Sequence, residues 1–179
     1  GATKPIRKTG PTSPSPGEID GQSLPNVAGH LDNFSILRKL GSGAMGVVYA
    51  AYDEHLGRRV AIKLLRSQLG TQTSRFIREA QGLARLNHPN VVQVYQVGTH
   101  DGRVFIAMEY VAGRTLRTWL DQGPHPREDI LRVFLSAGRG LAAAHAANLV
   151  HRDFKPDNVM VGDDGQIKVM DFGLVQENG

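Results

Sequence analysis

His151-Arg152-Asp153-Phe154-Lys155-Pro156-Asp157-Asn158, with Asp171-Phe172-Gly173 a short way downstream, is the stretch from which the fold of this chain can be read. Between the two lie Val159-Met160-Val161 and Ile167-Lys168-Val169, apolar runs of strand length that predict a short hairpin. A loop and a hairpin therefore bring two carboxylates, a carboxamide and a lysine into one neighbourhood. A single Asp or Asn in a loop is most often a turn former or a helix cap. Asp153, Lys155, Asn158 and Asp171 come as an ordered set, which that explanation does not cover. Their chemistry is that of an acid able to take a proton, an ammonium able to neutralise a migrating anion, and oxygen donors suited to a hard cation.

Composition narrows the class. The chain has 179 residues, 40% hydrophobic and 21% charged, which is the makeup of a globular protein able to bury a core. Its formal charge of +4 is spread along the sequence and forms no basic run, so no nucleic-acid partner is expected. With no cysteine there is neither a disulfide framework nor a thiolate metal site, and the seven histidines show no paired ligand spacing. No apolar stretch approaches the ~18 residues that span a bilayer. The N-terminus also lacks a signal-peptide core. A cytoplasmic setting is expected, with any membrane anchor lying past Gly179.

Working outward from the His151–Asn158 stretch, three regions separate. Residues 1–30 carry Pro5, Pro11, Pro14, Pro16 and Pro25 among Gly, Ser and Thr, and predict a disordered arm. Ser13-Pro14 and Ser15-Pro16 have the form of phosphorylation sites, although composition alone already accounts for a flexible arm. Residues 31–112 predict a small lobe, with structure beginning near Phe34: strands at Phe34–Leu37, Val47–Tyr52, Val60–Leu65, Val91–Val97 and Val104–Glu109, and one helix at Thr73–Leu86. Residues 113–179 turn helical, with segments at Thr115–Gln122 and Arg127–Ala147. On the longer one Ile130, Phe134, Ala137, Leu141 and Ala144 recur at helical spacing and predict the packed face. The expected class is α+β: a five-stranded antiparallel small lobe with one helix, followed by the mostly helical start of a second lobe.

Gly41-Ser42-Gly43-Ala44-Met45-Gly46-Val47-Val48 fits G-x-G-x-x-G-x-V, a pattern shared with dinucleotide-binding folds. A dinucleotide motif leads directly into a helix, whereas Val47 to Tyr52 is β-branched and aromatic, so these glycines cap a hairpin. No Gly-Lys-Ser/Thr follows, which removes the P-loop. Lys63 closes Val60-Ala61-Ile62-Lys63, and Glu79 lies on the next helix in Arg75-Phe76-Ile77-Arg78-Glu79-Ala80. Taken singly, the lysine reads as a snorkelling strand end and the glutamate as a surface partner of Arg75 or Arg78.

Taken together, the glycine hairpin, the lysine strand, the His151–Asn158 loop and the Asp171 triplet resemble the protein kinase family, and Lys155 points to its serine/threonine branch. Phrases such as Gly-Ser-Gly-Ala-Met-Gly resemble bacterial members most. The resemblance covers about Phe34 to Val175 and implies ATP and Mg2+ as cofactors and a protein Ser/Thr hydroxyl as acceptor. It implies that Asp153 accepts the hydroxyl proton, that Lys155 neutralises the moving phosphoryl group, and that Asn158 and Asp171 hold magnesium. Lys63 would contact the phosphates and pair with Glu79. Gly41, Gly43 and Gly46 would cover the phosphates. Leu40, Val48, Ala61 and Met160 would sandwich the base, with Met108 gating the rear and backbone at Glu109 and Val111 bonding the adenine edge. His151 would pack on Phe172, and Arg152 marks the subclass switched by activation-loop phosphorylation. Thr115 stands where many members place an acid against the ribose.

Only six residues follow Gly173, so a first part of a kinase domain is expected, with weak or no protein phosphorylation and with self-association through the 127–147 helix. Two other readings stay open. One is a nucleotide-binding regulatory or interaction module without catalysis. The other is a small-molecule phosphotransferase, against which the full glycine loop, Lys155 and Asp171-Phe172-Gly173 argue.

Overall fold

The computed structural model describes residues 29–43, 45–66 and 73–172. The two Ser-Pro pairs of the arm, Ala44 and Gly173 lie outside the described residues. The first lobe is a six-stranded antiparallel sheet in the order β1-β2-β3-β4-β6-β5. Its strands are β1 (His30–Leu31), β2 (Phe34–Ser42), β3 (Gly46–Asp53), β4 (Arg58–Leu65), β5 (Val94–His100) and β6 (Arg103–Glu109). The five expected strands are present, and β1 adds a two-residue edge. Leu31 explains it: the side chain is fully buried beside Phe34, whose ring meets Phe105 edge-on at 6.2 Å.

Helix α1 (Thr73–Ala84) packs beside β5, burying Phe76, Ala80 and Leu83 at steps of four and three. The expected strand over Val91–Val97 begins three residues later. Val91 instead forms a parallel bridge to Val169, and Val92 N–H donates to the Val169 carbonyl at 2.9 Å, so this segment serves the second sheet.

The second lobe has β7 (Gly113–Thr115), α2 (Leu116–Asp121), α3 (Arg127–Ala146), a one-turn 3-10 helix (Pro156–Asn158), β8 (Val159–Gly162) and β9 (Ile167–Val169). Strands β7, β8 and β9 make an antiparallel sheet in that order. Thr115 was expected to open α2 and proves to be its cap, its Oγ1 accepting from Thr118 N–H at 3.2 Å. One apolar core runs from α1 and β6 through Val91 to α3, β8 and β9.

The packed face of α3 agrees with the expected one at Ala137, Leu141 and Ala144 and departs from it at Phe134. Val133, Ala137, Gly140 and Ala144 are buried, whereas Phe134 is 45% exposed, together with Leu131 and Leu135. Small residues decide the matter: a Cβ on Gly140 would lie 2.4 Å from the Asn90 carbonyl oxygen, so the helix approaches that backbone along its Gly/Ala side. Substituting Ala for Gly in a helix interior gains up to about 1 kcal/mol when space is free. Gly138→Ala, with nothing within 4 Å, should show that gain in urea unfolding. Gly140→Ala should lose about 2 kcal/mol, because the clash is with backbone that cannot turn aside.

Candidate active site

A cleft of about 460 Å³ opens between β2, β3 and β4 above and β7 and β8 below, within the size range of small-molecule sites. Ala61, Val92 and Met108 form its apolar centre, with Val48, Tyr110, Val111 and Met170 packed against them. Leu40, Gly41, Glu109 and Met160 also line it. Arg38, Gly113, Arg114 and Thr115 make the mouth polar. Behind Met108 a small void of about 30 Å³ reaches Lys63, Phe76 and Asp171.

The three glycines of the hairpin play different parts. Gly41 and Gly43 face open space where a Cβ would sit. At Gly46 a Cβ would lie 2.3 Å from the Leu64 carbonyl oxygen, so its lack of a side chain lets β3 lie against β4. Gly43 and Gly46 close the turn through backbone hydrogen bonds of 2.9 and 3.4 Å.

Lys63 lies between Val48 and Ile106 in the middle of the sheet and sends Nζ to Asp171 Oδ1 at 2.8 Å. The expected Lys63–Glu79 pair is not the one made. Glu79 Oε2 stands 3.9 Å from Arg152 Nη1. Asp171 takes up the ammonium from the second lobe because its backbone bends into the left-handed region at φ 56°. Arg152 does likewise at φ 63°. Such conformations cost of order 1–3 kcal/mol each and persist where surrounding contacts enforce them.

The enforcing contacts are visible. His151 is 3% exposed, its Nε2–H donates to the Met170 carbonyl at 2.9 Å, and its ring lies 4.6 Å from that of Phe172, as expected. Asn158 is 6% exposed; its Nδ2 donates to the Asp153 carbonyl at 2.8 Å and to Asp153 Oδ2 at 3.1 Å. That leaves Asn158 Oδ1 without a hydrogen bond among the described residues. An amide oxygen and the Asp171 carboxylate are the hard donors magnesium takes, usually alongside waters and phosphate oxygens. The donor set therefore fits that ion, although no group of three or more acids or histidines is found among the described residues.

Lys155 Nζ lies 2.8 Å from Asp153 Oδ2 at the open end of the row. That hydrogen bond, helped by Asn158 and opposed by slight desolvation, holds the Asp153 carboxyl below the usual carboxylate range. The same bond raises the Lys155 ammonium. Both groups are therefore charged at neutral pH, and Asp153 can accept a proton.

A family model described as "Protein kinase domain" matches residues 34–178. The chain belongs to the protein kinase family. It is 42% identical over 150 residues to the probable serine/threonine-protein kinase pknA2 of Bifidobacterium longum, covering 80% of this chain and 20% of that protein. It is 44% identical over 148 residues to the serine/threonine-protein kinase PrkC of Bacillus subtilis, covering 79% and 22%. The crystal structure of the Mycobacterium tuberculosis PknI kinase domain superposes with a TM-score of 0.72 at 32% identity, over 84% of this chain and 63% of that one. The chain thus spans about a fifth of the two curated kinases.

Val92 and Met170 in the apolar centre of the cleft, with Arg38, Tyr110 and Arg114 nearer its mouth, are residues that reading the sequence missed. Met170 directly precedes Asp171, a position from which its place beneath the cleft could have been inferred. Val92 carries no local signal, since its role depends on the bridge to β9. If the 2.8 Å bond to Lys155 depresses Asp153, Lys155→Met should raise the Asp153 titration toward ~3.9. The sign follows from linkage: a depressed carboxyl contributes stability above its unfolded value and loses it as pH falls through the folded one. Carboxyl NMR titration reads the shift, and an unmoved Asp153 would refute this cause.

Proposed function

We propose that this chain carries the nucleotide-binding and catalytic part of an ATP- and magnesium-dependent protein kinase that phosphorylates Ser/Thr hydroxyls. The single observation that carries the reading is the meeting of Lys63 and Asp171 at 2.8 Å at the back of the cleft, beside the ordered Asp153, Lys155 and Asn158. Adenine would lie between Leu40, Val48 and Ala61 above and Met160 below, its edge toward backbone at Glu109 and Val111. Gly41 and Gly43 leave room for phosphates to approach backbone. Asn158 and Asp171 would hold magnesium, which when bound neutralises charge on the phosphate oxygens.

In the transfer, Asp153 takes the proton of the acceptor hydroxyl as its oxygen bonds to the γ-phosphorus. The bond from that phosphorus to the β–γ bridging oxygen breaks, and ADP leaves. Lys155 is placed to neutralise the moving group. The relatives' names support Ser/Thr specificity, since both are described as serine/threonine kinases. A second reading, nucleotide binding without catalysis, draws on Glu79 standing by Arg152 and not by Lys63.

The exposed Leu131, Phe134 and Leu135 of α3 support a further expectation, that these 179 residues self-associate; a clean monomer in sedimentation would count against it.

The unaltered chain is expected to bind ATP by calorimetry only when magnesium is present, and Lys63→Met to weaken that binding at least about tenfold. Labelled γ-phosphate transfer to itself or to a basic protein should fall below about 1 per second, because the chain spans 63% of the solved kinase domain. Asp153→Ala should abolish transfer and leave binding intact. No binding of magnesium ATP sinks the reading, while binding without Asp153-dependent transfer selects the non-catalytic one.

A further inference from the structure

Lys168 is 8% exposed, yet it takes no part in the cleft or in the transfer just described. A lysine is almost never buried without a partner. Its partner is Glu109 at the end of β6: Nζ lies 2.8 Å from each carboxylate oxygen, with the two side chains 10% and 23% exposed. Glu109 is bound on a second side. Gln93 N–H donates to its Oε2 at 3.2 Å, and Glu109 N–H returns a bond to the Gln93 carbonyl at 2.8 Å. Gln93 in turn reaches the Ala84 carbonyl at the end of α1 at 3.0 Å. One carboxylate therefore ties the last residue of the small-lobe sheet to β9, three residues ahead of Asp171.

Stability does not account for this pair. Burying two charges costs as much as their attraction returns, and apolar residues of similar volume hold a core as well or better. What an apolar pair would not supply is a fixed direction. We infer that Lys168 and Glu109 form a positioning clasp that sets the backbone at Glu109 to Val111 relative to the Asp171 loop, and thereby the adenine end of a bound nucleotide relative to its phosphates. This rests on the nucleotide reading above. Neither residue acts on the transferring group; Lys168 works through Glu109.

The test compares magnesium ATP with magnesium tripolyphosphate, which lacks the adenine end, by calorimetry on the full chain. The Glu109→Gln/Lys168→Met double variant leaves no lone buried charge and should fold, as its circular dichroism will show. It is expected to bind ATP about tenfold more weakly, the loss of one well-made hydrogen bond, and tripolyphosphate as before. Lys168→Arg, which keeps the ion pair, should return ATP affinity to within about threefold. If the double variant does not fold, Glu109→Asp carries the test: it keeps both charges but cannot hold the two-oxygen geometry, and should lose ATP affinity about threefold while keeping tripolyphosphate. Unchanged ATP affinity in a folded variant overturns the clasp alone. Equal loss of both ligands also overturns it, since a merely structural role would do that. Failure of the unaltered chain to bind ATP overturns the nucleotide reading and the clasp with it.

Discussion

The short segment Asn90 to Gln93 is hydrogen-bonded into both sheets, and the position of every site residue follows from that. Val169 N–H donates to the Asn90 carbonyl and Val92 N–H to the Val169 carbonyl, each at 2.9 Å, while Asn90 Nδ2 reaches the Ile167 carbonyl at 2.8 Å. Three residues after Asn90, Gln93 exchanges bonds with Glu109 of β6. The same chain thus acts as an extra strand on β9 and as a brace on β6. Helix α3 presses on it at Gly140, where no side chain is tolerated. Remove this segment and Lys63 on β4 would have no defined relation to Asp171 beyond β9; with it, their atoms meet at 2.8 Å.

Charge is distributed along that seam in pairs: Lys63 with Asp171, Arg152 with Glu79, Lys155 with Asp153, and Lys168 with Glu109. The pairs differ in what they leave free. Lys168 and Glu109 are nearly enclosed and satisfy each other from both carboxylate oxygens. Lys155 and Asp153 are each almost half exposed and stand open to an incoming group. Lys63 and Asp171 lie between these extremes, at 13% and 29% exposure. On the proposed reading, Asp171 would hold the magnesium ion and Lys63 would turn to the nucleotide phosphates, so that neither group would be left uncompensated.

Elements with enough residues to show a period were legible in the sequence. Helices α1, α2 and α3 and strands β3, β4 and β6 lie where periodicity and turn residues put them, whereas β2 runs on past the expected Leu37 to Ser42. Strands β1 and β7, of two and three residues, are too short to alternate and owe their existence to the partners they find. The face of α3 was misread at Phe134, because size was taken as the guide. Phe134 is larger than Gly140, but the Asn90 carbonyl had to be accommodated, and the Gly/Ala stripe does so. Ion-pair partners were the least legible. Nothing local distinguishes Glu79 from Asp171 as the acid opposite Lys63, since that choice depends on how far α1 sits from β4.

The glycine hairpin shows how a motif can mix two physical demands that its spelling does not separate. Gly41 and Gly43 have empty space where a side chain would stand, so none of the described residues requires glycine there. On the proposed reading, the demand would come from a polyphosphate approaching the backbone. Gly46 is different: the Leu64 carbonyl occupies the Cβ position at 2.3 Å, and the register of β3 on β4 depends on its absence. That register sets Val48, in the roof of the cleft, beside Lys63, whose ammonium reaches Asp171. On the proposed reading, the third glycine of the motif would act on the nucleotide only through the sheet, and the first two through the space they leave unfilled.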